Sequence, residues 1–594
     1  MTEPRDDVAK WLAAFSAAAK NRDNAAVLAL FGPECFWRDL VAFSWNIVTL
    51  EGHGQIADLL ATAMPSLQNA TWRMDDSVSV EQGVVEAWFS FETTAGRGRG
   101  QLRLKGGRCW TLFTALQELK GFEEPHGATR PRGVVHGVVP GRRNWLQEQS
   151  ARRAELGGRQ QPYCLIVGGG QGGIALAARL KRLNVPTLVV DAYPLPGDSW
   201  RARYKSLCLH DPVWYDHLPY LPFPDHWPVF TPKDKMGDWL EMYSRVMELD
   251  YWGNTRCTGA RFDELAGAWT VELQRDGRAV SLRPQQLVLA TGLSGLPEIP
   301  AFPGANHFAG QQMHSSAFVD GAPWRGKHCV VVGSNNSAHD ICANLWENGA
   351  TVTMLQRSST LVVRSETLMQ LGWGKLYSEA ALAAGITTER ADLMLASLPF
   401  KLMAQLQKPV VEQMQRIDAT FYQSLRRAGF LLDFGEDHSG LTMKYLRRGS
   451  GYYIDVGASA LIANGSIALR SPVSIASIDE HAVCLSDGSS VDADLIVYAT
   501  GFGSMTGWAA KLISQQVADR IGPCWGLGSD TSRDPGPWHG ELRNMWKPTA
   551  QANLWFHAGN LQQSRSYSLY LALQLKARLE GVPTPVYQPA KYRV

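Results

Sequence analysis

Two glycine-rich turns hold the residues of this chain whose types and spacing point most directly to chemistry. The first, Gly168-Gly169-Gly170-Gln171-Gly172-Gly173, follows the apolar run Tyr163-Cys-Leu-Ile-Val167 and opens the helical pattern Ile174-Ala-Leu-Ala-Ala-Arg-Leu. Gly168 permits the tight turn, Gly170 brings backbone up to a pyrophosphate, and Gly173 lets the helix pack on the strand. The helix N-terminus then offers unpaired N–H groups to phosphate. The next apolar strand, Thr187-Leu-Val-Val190, ends at Asp191, which suits ribose hydroxyls. The second turn lies after Cys329-Val-Val-Val and reads Gly333-Ser-Asn335-Asn-Ser337-Ala338. Asn335 replaces the middle glycine, as expected of the residue that best tolerates left-handed backbone, and Ala338 replaces the last. After the following strand, Arg357 and Ser358 stand where an acid would favour NADH; they suit a 2′-phosphate and so NADPH, with NADH as a second donor. Two further strands, Leu287–Leu289 and Leu495–Tyr498, run into Ala-Thr291-Gly292 and Ala-Thr500-Gly501, where only small side chains fit beneath a nucleotide.

Between the two turns lies Phe308-Ala-Gly310-Gln-Gln-Met-His314-Ser-Ser-Ala-Phe318. This pattern resembles the fingerprint of class B flavin monooxygenases, with Phe318 in the position where flavin-containing monooxygenases carry Tyr or Phe. Gly197-Asp-Ser199-Trp200-Arg201-Ala-Arg-Tyr204, Leu207-Cys-Leu-His210-Asp-Pro212 and Leu221-Pro-Phe-Pro224 resemble the same proteins and their plant auxin-pathway relatives. The resemblance implies that Ser199, Trp200 and Arg201 run alongside FAD. It also puts His210 where many relatives place an asparagine that helps to hold the oxygenated flavin. By the same resemblance His314 couples the two nucleotide domains rather than shuttling a proton. Tyr498-Ala-Thr-Gly501-Phe502 marks the return of the chain to the flavin domain, and the Gly559-Asn560-Leu-Gln562 turn closes over the flavin. A structural histidine before Pro212 and a purely structural Asn560 turn are the competing readings.

The implied activity is an FAD-dependent, NAD(P)H-using monooxygenase. Oxygen adds at the flavin C4a atom, NADP⁺ stays bound to shield the adduct, and one oxygen atom goes to a small organic substrate. That substrate is a ketone, by Baeyer–Villiger insertion, or a soft sulfur or nitrogen. An NADPH oxidase or flavin reductase is the alternative, and no motif calls for a metal or a covalent protein nucleophile. The nine cysteines form no Cys-x-x-Cys, which speaks against a flavin disulfide reductase and for reduced thiols.

The elements that must position these residues form an α/β flavoprotein of two Rossmann-like dinucleotide-binding domains with an N-terminal α+β domain. Residues 1–125 show helical periodicity from Val8 to Leu30, then alternating strands, with Gly96, Gly98 and Gly100 marking a hairpin. This resembles a SnoaL-like cone, and with it the chain resembles the bacterial type II subgroup of flavin-containing monooxygenases. Trp37-Arg38-Asp39 is a pocket element or a strand-edge ion pair. A linker follows over 126–160, with a short helix at Trp145 to Leu156, expected to wrap over its neighbour. FAD-domain segments are expected at 161–300 and 495–594, flanking an NADPH domain at 301–494 whose helix-rich stretch from Ser365 to Gly451 shapes the substrate entrance. A net charge of +2 with 19% charged residues excludes an electrostatic case for nucleic acid or an acidic membrane. The N-terminus lacks a signal-peptide pattern, no apolar run approaches bilayer length, and the expected setting is cytoplasmic. Substrate and oxygen are the expected partners, and a homodimer is left open.

Overall fold

The computed structural model describes residues 3–134 and 136–589. Residues 4 to 119 build one six-stranded sheet, ordered β2-β1-β6-β5-β4-β3, from β1 (Phe31–Leu40), β2 (Ile47–Glu51), β3 (Thr71–Glu81), β4 (Val84–Glu92), β5 (Gly96–Lys105) and β6 (Arg108–Leu119). Helices α1 (Pro4–Lys20), α2 (Asn24–Ala29) and α3 (Gly52–Gln68) belong to the same module. The helical periodicity from Val8 to Leu30 is broken because the Asp23 carboxylate caps a second helix by accepting the Ala26 N–H. The concave side is filled by aromatic rings: Trp11 stacks on Phe15 at 5.0 Å, and Phe43 on Trp72 at 5.8 Å. Gly98 and Gly100 do not form the hairpin turn, which lies at residues 93–95. They sit within β5 opposite Phe91 and Phe89, and a Cβ on either would lie 2.2 Å from the ring across from it. Those glycines make room for aromatic packing.

The linker helix α4 (Trp145–Glu155) begins at a capping box in which Asn144 and Gln147 satisfy each other's backbone N–H. Pro125 O accepts from Arg182, the Trp145 indole donates to Glu248 at 3.1 Å, and Arg152 pairs with Asp250. The linker therefore lies over the first nucleotide domain.

Two five-stranded parallel sheets carry the glycine turns. The first, ordered β16-β10-β7-β8-β9, is built from β7 (Cys164–Val167), β8 (Thr187–Val190), β9 (Tyr251–Trp252), β10 (Gln286–Leu289) and β16 (Leu554–Phe556). The second, ordered β11-β15-β12-β13-β14, is built from β11 (Gln311–His314), β12 (His328–Val332), β13 (Thr351–Leu355), β14 (Ala468–Arg470) and β15 (Leu495–Tyr498). Their central strands read as nearly unbroken apolar runs because both faces are covered. α5 (Gln171–Arg182) follows β7, and α6 (Asn336–Glu347) follows β12. Each turn thus sits where strand order reverses, the place at which open parallel sheets bind ligands.

This arrangement moves one expected boundary. β15 pairs with β11 and β12, so residues 495–498 complete the second sheet, and the chain rejoins the first only at β16. A Cβ on Gly168 would lie 2.4 Å from Ala290 O, and one on Gly333 would lie 2.5 Å from Ala499 O. Each Ala-Thr-Gly strand end therefore lies under the first glycine of its own turn. Two connectors join the sheets side by side: Glu298 N–H donates to Gly501 O at 3.1 Å, and Gly503 N–H to Leu296 O at 2.8 Å.

Candidate functional site

The first turn has the backbone a dinucleotide requires. Gly168 has φ +110°, and a Cβ on Gly173 would lie 2.0 Å from Gly168 O, so neither tolerates a side chain. Gly170 has extended backbone and faces open space, where its closest neighbour to a built Cβ is Ser199 Oγ at 3.7 Å. No side chain caps α5. Around this N-terminus, Thr291 Oγ1 and both ring nitrogens of the buried His557 have no partner, while a Cβ on Gly172 would lie 3.2 Å from His557 Cδ2. Orphaned buried polar atoms beside an uncapped helix start fit the phosphates and ribityl hydroxyls of FAD. Asp191 accepts Gly169 N–H at 2.5 Å and Tyr193 N–H at 2.8 Å, so its carboxylate also holds the turn itself. Burial raises its pKa against these bonds.

The second turn repeats the plan with one difference from the expectation. Asn335 has φ −97° and extended backbone, so it is not tolerating a left-handed conformation; the positive φ, +126°, belongs to Gly333. Asn335 Oδ1 instead accepts from Thr360 Oγ1 at 3.4 Å. Ala338 is buried against the sheet, and α6 too has no side-chain cap. Arg357 and Ser358 lie exposed beyond β13, and the Arg357 guanidinium has no partner among the described residues. An unpaired guanidinium at this place fits a 2′-phosphate.

A cleft of about 880 Å³ opens between the sheets, lined by Trp200, His210, Leu293, Asn335–Ala338, Tyr452 and Gly501 among others. His210 is half-buried on its wall. Its Nδ1 faces Ile454 O at 3.2 Å, and its Nε2 lies 3.6 Å from Asp340 Oδ2 on α6. Asp340 also accepts the Tyr204 hydroxyl at 2.7 Å. Both nitrogens thus face the nicotinamide side, making His210 a bridge between domains rather than a turn cap before Pro212. Burial pulls its pKa down, but Asp340 outweighs burial and the net direction is up. A raised folded-state pKa means that the clasp contributes fully below the ordinary histidine range and is lost as pH rises through the shifted value. Thermal unfolding across this range should show stability falling with pH in the wild type and much less so in Asp340→Asn; parallel profiles would sever His210 from Asp340.

His314 occupies the crossing point of the connectors. Its Nδ1 accepts from Ser316 N–H at 3.1 Å, which places the ring proton on Nε2, donated to Gly501 O at 2.9 Å. The ring meets Phe502 edge-on at 4.9 Å, and burial lowers its pKa, so it is neutral. Gly310 is needed here because a Cβ would lie 2.4 Å from Asp494 O.

Three expected ligands are otherwise engaged. Arg201 pairs with Asp198, Asp238 and Glu241, each at 2.8 Å, and braces the loop behind Trp200. Trp200 itself faces the cleft and donates to Gln171 Oε1 at 3.2 Å. Gln562 belongs to a buried cluster in which Asp392 accepts from Gln562 at 3.1 Å, Tyr377 at 2.8 Å and both arms of Arg565 at 2.9 Å. That cluster joins α7 (Thr388–Ala396) to α8 (Leu561–Leu579). Asn560 caps α8 by accepting Gln563 N–H at 2.9 Å, and its amide donates to Tyr215 OH at 3.1 Å. Gly559 O accepts from Gln171 at 3.4 Å, which ties this turn to the first glycine turn. Thr500 Oγ1 bonds Glu298 O at 2.5 Å and so secures the connectors, while Gly501 and Ser337 line the cleft. Gly292, with φ +75°, ends the strand beside Thr291.

Sequence reasoning did not reach Tyr204, Asp340, Arg203 and the cleft wall from Arg447 to Tyr452 and from Trp525 to Arg543. Arg203 and Tyr204 lay within a motif already singled out. The others are ordinary residues whose partners lie far away in the chain, so no local pattern marks them.

The chain is similar to known proteins over this region. A family model described as flavin-binding monooxygenase-like matches residues 198–383. A probable indole-3-pyruvate monooxygenase of Arabidopsis thaliana, YUCCA9, is 30% identical over 344 residues, covering 57% of this chain and 75% of that protein. The chain belongs to this flavin-binding monooxygenase family. An indole-3-pyruvate monooxygenase of Oryza sativa subsp. japonica, YUCCA1, is 36% identical over 206 residues, or 34% of this chain and 50% of that protein. In fold, an open cyclohexanone monooxygenase structure covers 71% of this chain and 88% of its own, with a TM-score of 0.51 and 16% identity. The protein is a flavin-dependent monooxygenase, an oxidoreductase. The oxidase or flavin-reductase alternative is not favoured. No helix among the described residues is long and apolar enough to cross a membrane.

Proposed function

We propose that the cleft between the two sheets oxygenates a small organic substrate, a ketone or a soft sulfur or nitrogen compound. FAD would lie on the turn from Gly168 to Gly173 with Asp191 and Thr291, and NADPH on the turn from Gly333 to Ala338 with Arg357 and Ser358 toward its 2′-phosphate. When bound and reduced, the flavin supplies the oxygen-activating chemistry. The chain orients both cofactors, excludes water, and holds the domains in register through His210, Tyr204, Asp340 and His314. The observation that carries this reading is the pair of equivalent turns, each over its own Ala-Thr-Gly strand end, flanking one cleft.

The N-terminal module is, in this reading, a SnoaL-like cone of the kind carried by the bacterial type II subgroup, and its six-stranded sheet with three helices supports that assignment. It acts as a clamp rather than a second enzyme. Arg38, fully buried on β1, donates to Glu541 through Nε at 2.6 Å and Nη2 at 2.9 Å, to Ala396 O at 2.6 Å, and to Tyr567 OH at 3.2 Å. Thr49 donates to Glu541 at 2.7 Å, and Glu51 accepts the Trp538 indole at 2.6 Å and Lys401 at 2.8 Å. Asp39 accepts Ser44 Oγ at 2.6 Å and Thr114 Oγ1 at 2.5 Å, and so shapes the loop beside this contact. The module thereby grips residues 396–401 and 538–547, the latter next to the cleft wall.

Stoichiometry tests the function. With a ketone or thioether present, NADPH and oxygen should be consumed one for one with oxygenated product and little hydrogen peroxide. One equivalent of peroxide per NADPH, whatever compound is added, would mark an oxidase.

A further inference from the structure

The far wall of the cleft carries more positive charge than its own acids answer. Arg447, Arg448, Arg533 and Arg543 line it together with Tyr452 and Trp525. Arg447 forks onto Asp437 at 2.9 and 2.7 Å, Arg448 pairs with Glu436, Arg543 with Asp534, and the neighbouring Lys444 with Asp433 at 2.5 Å. Every one of those carboxylates therefore already has a cation. Arg533 has none: its exposed guanidinium makes no hydrogen bond or ion pair among the described residues. Arg448 is held below the usual guanidinium value by burial and then by Arg533, so the two guanidiniums repel each other across this wall. The other acids lining the cleft are engaged elsewhere. Asp340 holds Tyr204 and His210, and Asp519 takes the Gln515 amide at 2.8 Å.

We infer that Arg533, backed by Arg448, forms an anion subsite of the substrate cleft and selects substrates carrying a carboxylate. A bound carboxylate would answer the unpaired charge and relieve the repulsion between the guanidiniums, while the rings of Trp525 and Tyr452 offer apolar surface to the rest of the molecule. The same cleft is lined by Asn335–Ala338 of the nicotinamide turn and by Arg203, a separate cation available to the cofactor. The inference rests on reading this cleft as the substrate site. It is tested by binding alone, so its failure is distinguishable from failure of the oxygenase reading.

The probes are 4-acetylbenzoate and its neutral analogue 4-acetylbenzamide, titrated calorimetrically into the oxidised, FAD-loaded protein, with NADP⁺ as a third titrant. Wild type should bind the acid about tenfold or more tightly than the amide, the scale of a charge-assisted hydrogen bond. That preference should shrink with added salt. Arg533→Gln should remove most of the preference while shifting NADP⁺ affinity by less than about twofold, and Arg533→Lys should restore part of it. Equal affinity for acid and amide in the wild type, including no measurable binding of either, overturns the inference. So does an equal loss of acid and NADP⁺ affinity in Arg533→Gln, which would give this arginine to the cofactor's phosphates.

Discussion

Alanine in place of Gly168 is expected to yield protein that has lost most of its flavin, whereas alanine at Gly170 should leave the apoprotein as stable as wild type. The difference follows from the two backbones. Gly168 has φ +110°, and a methyl group there meets Ala290 O at 2.4 Å, a carbonyl fixed in the central sheet. Relieving that contact means moving either β10 or the turn, at a cost of about 1–3 kcal/mol for the strained backbone before any clash is added. Because the turn sets the amides at the start of α5, the distortion falls on FAD affinity as well as on stability. At Gly170 the backbone is extended and the built Cβ has only Ser199 Oγ nearby at 3.7 Å, so a methyl group has room until a pyrophosphate occupies it. The flavin-to-protein absorbance ratio of the purified variants, together with thermal unfolding of the apoproteins, separates the two. A yellow, fully loaded Gly168→Ala protein would show that this turn does not carry the flavin.

The second large effect is expected at Arg38. Its side chain is fully buried, Glu541 is 5% exposed, and removal of the guanidinium leaves a buried carboxylate hydrogen-bonded only by the Thr49 hydroxyl, with Lys547 as the remaining cation that acts on it. Breaking one partner of such a pair costs about 3–5 kcal/mol. Arg38→Met should therefore loosen the module from the body, with earlier unfolding in calorimetry and new protease cleavage between residues 125 and 160. Arg38→Met with Glu541→Gln should recover much of the loss, since no charge is then stranded. As the Arg38 contact holds Glu541 near the cleft wall, the single variant should also lose kcat/KM for the organic substrate more than affinity for NADPH. A destabilisation below about 1 kcal/mol would place Arg38 with exposed surface pairs instead.

Local pattern reached furthest where function imposes it on neighbouring residues. Both glycine turns, the apolar strands that lead into them, Asp191 and the His314 signature are legible because a dinucleotide needs particular backbone within a few residues. The short linker helix expected at Trp145 to Leu156 is present as α4, and its capping box became apparent only in the structure. Strand pairing was not legible. The Tyr498-Ala-Thr-Gly501 run looks like the first sheet's Ala-Thr-Gly end because both are built alike, and only hydrogen bonding to β11 and β12 assigns it to the second sheet. β1, β2 and α3 of the N-terminal module also escaped, and Trp37-Arg38-Asp39 on β1 stayed open between a pocket element and a strand-edge ion pair until the partners were known.

By itself, the sequence determined the chemistry class: two dinucleotide turns in order, and a fingerprint between them that belongs to flavin monooxygenases. Tertiary structure decided which groups that chemistry meets. His210 meets Asp340, Gln562 is bonded to Asp392, Arg201 is paired with Asp198, Asp238 and Glu241, and Arg533 is left without a counter-ion on the cleft wall. The physical reason is the range of the forces involved. A tight turn and an uncapped helix start are made by adjacent residues, whereas a buried charge takes its partner from wherever the fold brings an opposite one within a few ångströms.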